Sequence, residues 1–152
     1  MSGAKPALEA RPFTEEHAKA LCTWRYPGPY AVYDFPDWER VQAQNWAVAV
    51  QEKREREFCA VYEGRRYVGF FRLTPDGRVS LGLAPDYCGG GRGRALMELI
   101  KTRCTRRPLR LEVRTFNDRA RHCYERAGFR VVGIVTRDSG TGPCEMYEME
   151  LL

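Results

Sequence analysis

A strand that enters a glycine-rich turn and then a helix is the feature that most restricts the fold of this chain. Residues 79–83 have strand character, four of the five residues 89–93 are glycine, and apolar residues then recur at helical spacing to Cys104. The start of a helix has unpaired N–H groups and the positive end of its dipole. Glycines let the backbone approach an anion closely. The segment therefore predicts a phosphate-binding loop at a helix N-terminus.

Three alternative interpretations of this loop can be compared. A P-loop requires Gly-Lys-Ser/Thr before the helix, and that sequence is missing. A dinucleotide fingerprint belongs to the first strand of a βαβ unit, whereas this loop follows several hairpin-type strands. A purely structural loop is the third alternative. The glycines, together with Arg92 and Arg94 at the helix start, favour an anion site over it.

The remaining pattern predicts an α+β fold with one mixed sheet. Helices are expected after Thr14, near Pro36, after the glycine loop and from Asp118 to Ala127, where Gly128 provides a C-cap. Residues 46–50 fit a helix or a strand, and residues 51–57 a solvated helix end or turn. The loop after the first helix is aromatic, with tyrosines at 26, 30 and 33. The predicted strands are residues 7–11, 58–62, 67–73, 79–83, 109–113, 129–136 and 145–151.

Composition narrows the class of protein. The chain has 152 residues, 43% of them hydrophobic and 30% charged, which fits one globular domain over residues 1–152. No apolar run approaches the ~18 residues that a membrane-spanning helix needs. Residues 1–6 contain no apolar stretch and so do not resemble a secretion signal. We therefore expect a soluble cytoplasmic protein that does not bind membranes.

Cysteine spacing argues against a metal site and a disulfide framework. The six cysteines are at least 16 residues apart, and the two histidines, His17 and His122, are also far apart in the sequence. Zinc and redox sites generally need C-x-x-C spacing. We expect reduced cysteines and no metal.

Positive charge is concentrated in one segment. The net charge is +5, but residues 92–130 hold eleven Arg and one Lys against four acids, a local excess of +8. Such an excess suits nucleic acid, phosphate or a nucleotide cofactor. An arginine-rich surface that only aids solubility is the alternative.

Two motifs resemble the GNAT superfamily of N-acetyltransferases. Residues 85–96, Pro-Asp-Tyr-x-x-x-Gly-x-Gly-Arg-Ala-Leu, are similar to its acetyl-CoA pyrophosphate loop, although Cys88 stands where Gln or Arg is usual. Residues 111–129 are similar to its second motif, a strand followed by Asn-x-x-Ala-x-x-x-Tyr-Glu-x-x-Gly-Phe. The resemblance implies a mostly antiparallel central sheet that is splayed between its fourth and fifth strands and flanked by about four helices.

The resemblance also implies where acetyl-CoA binds. Backbone N–H groups of the glycine loop would hold the pyrophosphate, a strongly anionic group that explains the local positive charge better than nucleic acid does. The fourth strand would pair with the pantetheine arm, and Asn117 would bind near the thioester. The implied cofactor-binding residues are Leu81, Gly82, Leu83, Gly89, Gly90, Gly91, Arg92, Gly93, Arg94 and Asn117.

Two residues are the catalytic candidates. Tyr124 stands at the family's general-acid position, and a phenol with a pKa of about 10 is protonated at neutral pH and can donate to a thiolate. The sequence Leu-Glu-Val-Arg at 111–114 resembles the ribosomal-protein alanine N-acetyltransferase subgroup, in which this glutamate is the proposed base. Glu112 is therefore expected to deprotonate the amine, directly or through water. The alternatives are a core tyrosine and a salt-bridged strand glutamate.

The acceptor amine is less well specified. A protein or peptide α-amine is the leading interpretation, although the Tyr-Tyr-Pro element of that subgroup is missing from residues 136–142. A small-molecule amine, such as a polyamine or aminoglycoside, is the alternative, and a catalytically silent acetyl-CoA-binding module is a further one. We expect a monomer or homodimer, and we do not expect nucleic acid as a partner.

Overall fold

The structure is a computed structural model that describes residues 7–138 and 142–152. Short 3-10 helices lie at Gly28–Tyr33, Ala47–Ala49 and Pro85–Tyr87. The prediction of an α+β fold is confirmed. The other elements, in chain order, are β1 (Leu8–Pro12), α1 (Glu15–Leu21), α2 (Trp38–Ala43), α3 (Gln51–Glu57), β2 (Phe58–Glu63), β3 (Arg66–Leu73), β4 (Val79–Leu83), α4 (Arg92–Arg103), β5 (Leu109–Arg114), α5 (Asp118–Arg126), β6 (Arg130–Asp138) and β7 (Pro143–Leu151).

The strands form two antiparallel sheets that separate between β4 and β5. The first sheet has the order β1-β2-β3-β4 and the second β5-β7-β6. In the described residues, β4 and β5 are connected by one parallel bridge, Arg78 to Arg110, at the start of both strands. Beyond this bridge the two strands diverge. This is the predicted splay, and its open end lies at Leu83 and Arg114, where the two strands finish.

Hydrophobic packing divides the helices between two cores. The 12-residue helix α4 buries one apolar stripe, as its sequence period predicts. Helices α1 and α2 cover the other face of the first sheet, where Val41 and Phe70 are buried. Helices α4 and α5 pack against both sheets in the larger core, which includes Val61, Val68, Phe71, Leu96, Met97, Ile100, Leu111, Val113, Ala127, Phe129 and Met149.

Local sequence signals explain where several helices begin and end. Thr14 caps α1 in a capping box completed by His17. Helix α5 ends in a Schellman motif, because Gly128 has a φ of 106° and the N–H of Phe129 donates to the carbonyl of Tyr124 at 3.0 Å. Residues 51–57, predicted as a helix end or turn, form the complete helix α3.

All six cysteines are free. Within the described part of the chain, no helix is long and apolar enough to cross a membrane. Residues 139–141, which belong to the loop predicted before the last strand, lie outside the described residues.

Candidate active site

The glycine loop adopts a backbone conformation that side chains would strain. Gly89, Gly90 and Gly91 have φ angles of 100°, 63° and 79°, all in the left-handed region. Gly91 is the N-cap of α4 and no side chain caps this helix. The N–H groups of Gly93 and Arg94 in its first turn have no carbonyl partner among the described residues. Consecutive left-handed residues followed by open N–H groups form a concave anion site.

The loop arginines do not all have the same function. The side chain of Arg92 makes a paired hydrogen bond to Glu63, and its N–H donates to the carbonyl of Gly89. Arg92 therefore stabilises the loop, and its charge is already neutralised by a carboxylate. Arg94 and Arg119 have no acidic partner in the described structure. These two guanidinium groups are available to an anion.

Arg119 is a further candidate for the anion site that the sequence motifs do not indicate. It lies in the first turn of α5, and its Nη2 is 3.1 Å from the position that a Cβ on Gly89 would occupy. Its charge also lowers the pKa of the Cys88 thiol, against the larger raising effect of burial. Arg119 thus supplies positive charge beside Cys88, where the related motif has Gln or Arg. Its proximity to the loop depends on the packing of α5 beside α4.

The edge of β4 presents alternate backbone groups to the splay. The N–H of Ala84 donates to the carbonyl of Val68 at 2.8 Å, and hydrogen-bonded pairs alternate along an antiparallel ladder. The N–H and C=O groups of Leu81 and Leu83 consequently face away from β3, into the opening. Gly82 was predicted to contact the cofactor, but its backbone pairs with β3. Its missing side chain is explained by packing instead, since a Cβ there would lie 2.8 Å from the ring of Phe70.

An aromatic segment, residues 24–35, connects the two strands at the open end of the splay. We call it the strap. The hydroxyl of Tyr26 donates to the carbonyl of Leu83 at 2.6 Å, at the end of β4. The hydroxyl of Tyr33 accepts from Nδ2 of Asn117 at 2.9 Å, just after β5. The strap therefore forms one wall at this end of the opening.

Tyr124 has the properties expected of a proton donor. It projects from α5 into the larger core, with its ring against Phe129. Burial raises the pKa of Tyr124, so the phenol keeps its proton at neutral pH. Its hydroxyl has no hydrogen-bond partner among the described residues, and it lies close enough to Tyr33 for the two phenols to interact electrostatically.

Asn117 lies between α5 and the strap. Its Oδ1 accepts from the N–H of Ala120 at 3.1 Å and caps α5. One Nδ2 hydrogen is donated to Tyr33, and the residue is only 9% exposed. Asn117 therefore has one N–H hydrogen left for a cofactor.

Glu112 is not brought together with Tyr124. Alternate residues of a strand face opposite sides, and Leu111 and Val113 face the core against which Tyr124 packs. Glu112 faces the other side, where both carboxylate oxygens accept hydrogen bonds from Arg137 and one also accepts from Arg78. The pKa of Glu112 is lowered from its usual value, and the hydrogen bond from Arg137 is the main cause. A carboxylate paired in this way is a weak base, which argues against the expected role of Glu112.

No group of three or more His, Cys, Asp or Glu residues in the described ranges could hold a metal ion. The site consists of hydrogen-bond donors, arginines and one unpartnered phenol.

Comparison with known proteins identifies the family to which this chain belongs. The family model described as the acetyltransferase (GNAT) family matches residues 18–129. No curated protein matches the sequence at a significant level.

Solved structures share the fold at low identity. A chimera of the spermidine N-acetyltransferase SpeG from Vibrio cholerae and hSSAT is 18% identical with a TM-score of 0.69, covering 95% of each chain. AAC(6')-Ib in complex with ribostamycin and coenzyme A is 22% identical with a TM-score of 0.67, covering 95% of this chain and 93% of that one. The ribosomal-protein alanine N-acetyltransferase from Escherichia coli is 21% identical with a TM-score of 0.62 and the same coverage.

Proposed function

Because the chain belongs to the acetyltransferase (GNAT) family, with acetyl-CoA as co-substrate, we propose that it transfers an acetyl group directly to the α-amine of a peptide or protein. The observation that carries the proposal is the unpartnered hydroxyl of Tyr124, on the helix that follows β5 at the open end of the splay. The glycine loop follows the facing strand, β4. This arrangement suits one extended cofactor, with its phosphates at the loop and its thioester near Tyr124.

The phosphate end is held by backbone groups and arginines. The N–H groups of Gly93 and Arg94 and the left-handed glycines would donate to the pyrophosphate. The side chains of Arg94 and Arg119 would add positive charge without first breaking a salt bridge. The backbone groups of Leu81 face the opening and would pair with an amide of the pantetheine arm, whereas the carbonyl of Leu83 already accepts from Tyr26.

At the thioester, the amine nitrogen attacks the carbonyl carbon and forms the new C–N bond. The N–H of Leu83 faces the opening and would donate to the oxyanion that develops. The C–S bond then breaks, and Tyr124 gives its proton to the leaving thiolate. The nitrogen loses one proton to solvent and Tyr124 regains one from solvent, so that the products are the amide and the free thiol and the phenol is restored.

The weak basicity of Glu112 bears on the choice of amine. An α-amine has a pKa of about 7.7–8.0 and is roughly 10–15% neutral at pH 7, whereas a lysine side chain is under about 0.1% neutral. We assign no direct base role to Glu112, because Arg78 and Arg137 occupy its carboxylate. Such a site works best on an amine that is already partly neutral, which favours an α-amine.

A polycationic acceptor is less well matched to the described charges. Asp34 on the strap accepts from the N–H of Tyr26 and pairs with Arg25, and Glu112 pairs with two arginines. These carboxylates are already neutralised. Polyamines and aminoglycosides, the acceptors suggested by two of the structural neighbours, therefore remain the second candidates.

A thiol-release assay across an amine panel tests the proposal. The panel contains a lysine-free peptide with a free N-terminus, the same peptide blocked at its N-terminus with one lysine added, spermidine and an aminoglycoside. We expect release of coenzyme A with the first peptide and at least tenfold less with the second. Faster turnover of spermidine or the aminoglycoside would replace the peptide proposal. No turnover of any amine, with acetyl-CoA bound, would indicate the silent binding module.

A further inference from the structure

Two tyrosines of the strap lie against the same ring but differ in their exposure and in what their hydroxyls contact. The rings of Tyr30 and Tyr33 both lie against Phe116, with centroids 5.9 and 6.5 Å from its ring. The Tyr33 hydroxyl accepts from Asn117 Nδ2 at 2.9 Å, whereas the Tyr30 hydroxyl makes no hydrogen bond to the described residues. The strap therefore gives Asn117, the N-cap of α5, a hydroxyl partner. Beside it lies a tyrosine whose hydroxyl makes no hydrogen bond to the described residues.

The contact determines the orientation of the Asn117 amide. Oδ1 is held by the N–H of Ala120, and one hydrogen of Nδ2 is held by Tyr33. With both ends of a planar amide held, the second Nδ2 hydrogen can point in only one direction. Without Tyr33, only the bond at Oδ1 would restrain this largely buried group.

We infer that Tyr33 is a positioning residue of the reaction, which acts by orienting the free N–H of Asn117 toward the thioester end of the cofactor. The inference rests on the proposed function. Burial raises the pKa of Tyr33, so its hydroxyl stays neutral throughout the neutral range, and the bond that it accepts from Asn117 does not change with pH there. The residue comes from the first half of the chain, 84 positions before Asn117, and it makes the geometry at the thioester depend on the strap.

The position of the Tyr33–Asn117 hydrogen bond predicts that its loss lowers the reaction rate more than it weakens cofactor binding. The phosphate end, which contributes most of the charge-based affinity, does not contact Tyr33. The reacting carbonyl must be held within a fraction of an ångström for attack, and small displacements can lower the rate by tenfold or more. Loss of the Tyr33 hydroxyl should therefore affect kcat and leave the affinity for acetyl-CoA nearly unchanged.

The experiment compares Tyr33→Phe with Tyr30→Phe in the full chain. We expect Tyr33→Phe to lower kcat about tenfold with less than a threefold change in the Kd of acetyl-CoA. Tyr30→Phe removes the same hydroxyl from a neighbouring ring and should change kcat less than twofold. Equal effects of both variants, or an unchanged kcat in Tyr33→Phe, would overturn the inference.

A double-mutant cycle tests whether Tyr33 acts through Asn117. Asn117→Ser keeps an oxygen that can cap α5 but is too short to reach Tyr33. In that background Tyr33→Phe should cost less than twofold in kcat, and a full tenfold loss would overturn the proposed route. If the wild-type protein turns over no amine, the proposed function fails first and this inference with it. An active wild type with an insensitive Tyr33 rejects the inference alone.

Discussion

The two ends of the proposed cofactor site are built in different ways. The phosphate end consists of consecutive residues: the left-handed glycines 89–91 and the first turn of α4. The acyl end combines three separate segments, namely Tyr26 and Tyr33 of the strap, Leu83 of β4, and Asn117 with Tyr124 around α5. The phosphate end is thus a local structure, whereas the acyl end exists only after the chain has folded.

Because of this difference, we expect the phosphate end to determine the affinity for acetyl-CoA and the acyl end to determine kcat. Backbone N–H groups and unpaired arginines bind phosphate through charge and need little positional accuracy. At the acyl end, single hydroxyl and amide groups must be placed correctly around one reacting carbon. Changes at the acyl end should therefore lower kcat, and changes at the phosphate end should weaken cofactor binding.

The largest expected effect is at the acyl end. Tyr124→Phe should lower kcat by roughly 10²–10⁴-fold, the usual range for loss of a general acid, while calorimetry shows an unchanged Kd for acetyl-CoA. Tyr147→Phe is the matched control, because Tyr147 packs against the same core and its hydroxyl has no hydrogen-bond partner among the described residues. A near-normal kcat in Tyr124→Phe, measured when the chemical step limits the rate, would remove Tyr124 from the mechanism.

At the phosphate end, the effect should appear in binding. Gly91→Asp and Gly91→Asn both place a side chain at a φ of 79°, which Asp and Asn tolerate better than most residues. The two variants therefore share the backbone strain and differ in charge. Repulsion between a carboxylate and the nearby pyrophosphate weakens the binding free energy of acetyl-CoA by about 3 kcal/mol at an effective dielectric constant of 20. Gly91→Asp should therefore bind acetyl-CoA about 100-fold more weakly than Gly91→Asn. Equal Kd values for the two variants would place the phosphates elsewhere.

The same contrast explains how far the sequence could predict the site. The glycine loop and the Schellman end of α5 are encoded by neighbouring residues, so their conformations were predictable. The contact of Tyr33 with Asn117 joins residues 84 positions apart, and the aromatic character of the strap gave no sign of its partner. Glu112 was assigned from a motif, but its partners Arg78 and Arg137 are 34 and 25 residues away. Side-chain pairing across strands decided its basicity, and the motif did not contain that information.

Arg119 provides a smaller test, at the phosphate end alone. Arg119→Gln should raise the KM for acetyl-CoA about tenfold through loss of one charge-assisted hydrogen bond. It should leave turnover of S-acetylpantetheine, which lacks the pyrophosphate, unchanged. Arg126→Gln is the control. Arg126 lies about two turns beyond Arg119 on α5, and its replacement by Gln removes the same net charge. An equal KM increase in both variants would indicate a general charge effect and would contradict a direct contact at Gly89.

The smallest effect is expected at Glu112, on the side of β5 away from the core that holds Tyr124. Glu112→Gln should change kcat/KM less than about threefold, and the ratio to wild type should stay constant from pH 6 to pH 9. If Glu112 were the base for an α-amine, the loss would be largest below about pH 8 and would narrow as the substrate supplies its own neutral amine. The assay uses the lysine-free peptide, and a narrowing ratio would restore Glu112 as the base.

Stability provides an independent test of the structural role of Glu112. The carboxylate is partly exposed and its arginine partners more so, so the ion pairs should contribute about 1 kcal/mol, which corresponds to about 2–4 °C in Tm for a chain of this size. Since Arg137 and Arg78 lower the pKa in the folded state, this contribution is complete above the unfolded-state pKa of about 4.3. It is lost as the pH falls through the lower folded-state value. The Tm difference between wild type and Glu112→Gln should therefore be present at pH 7 and shrink below about pH 4. A difference that persists at low pH would attribute the stabilisation to packing, because a protonated carboxyl and the amide carry no charge for the arginines to attract.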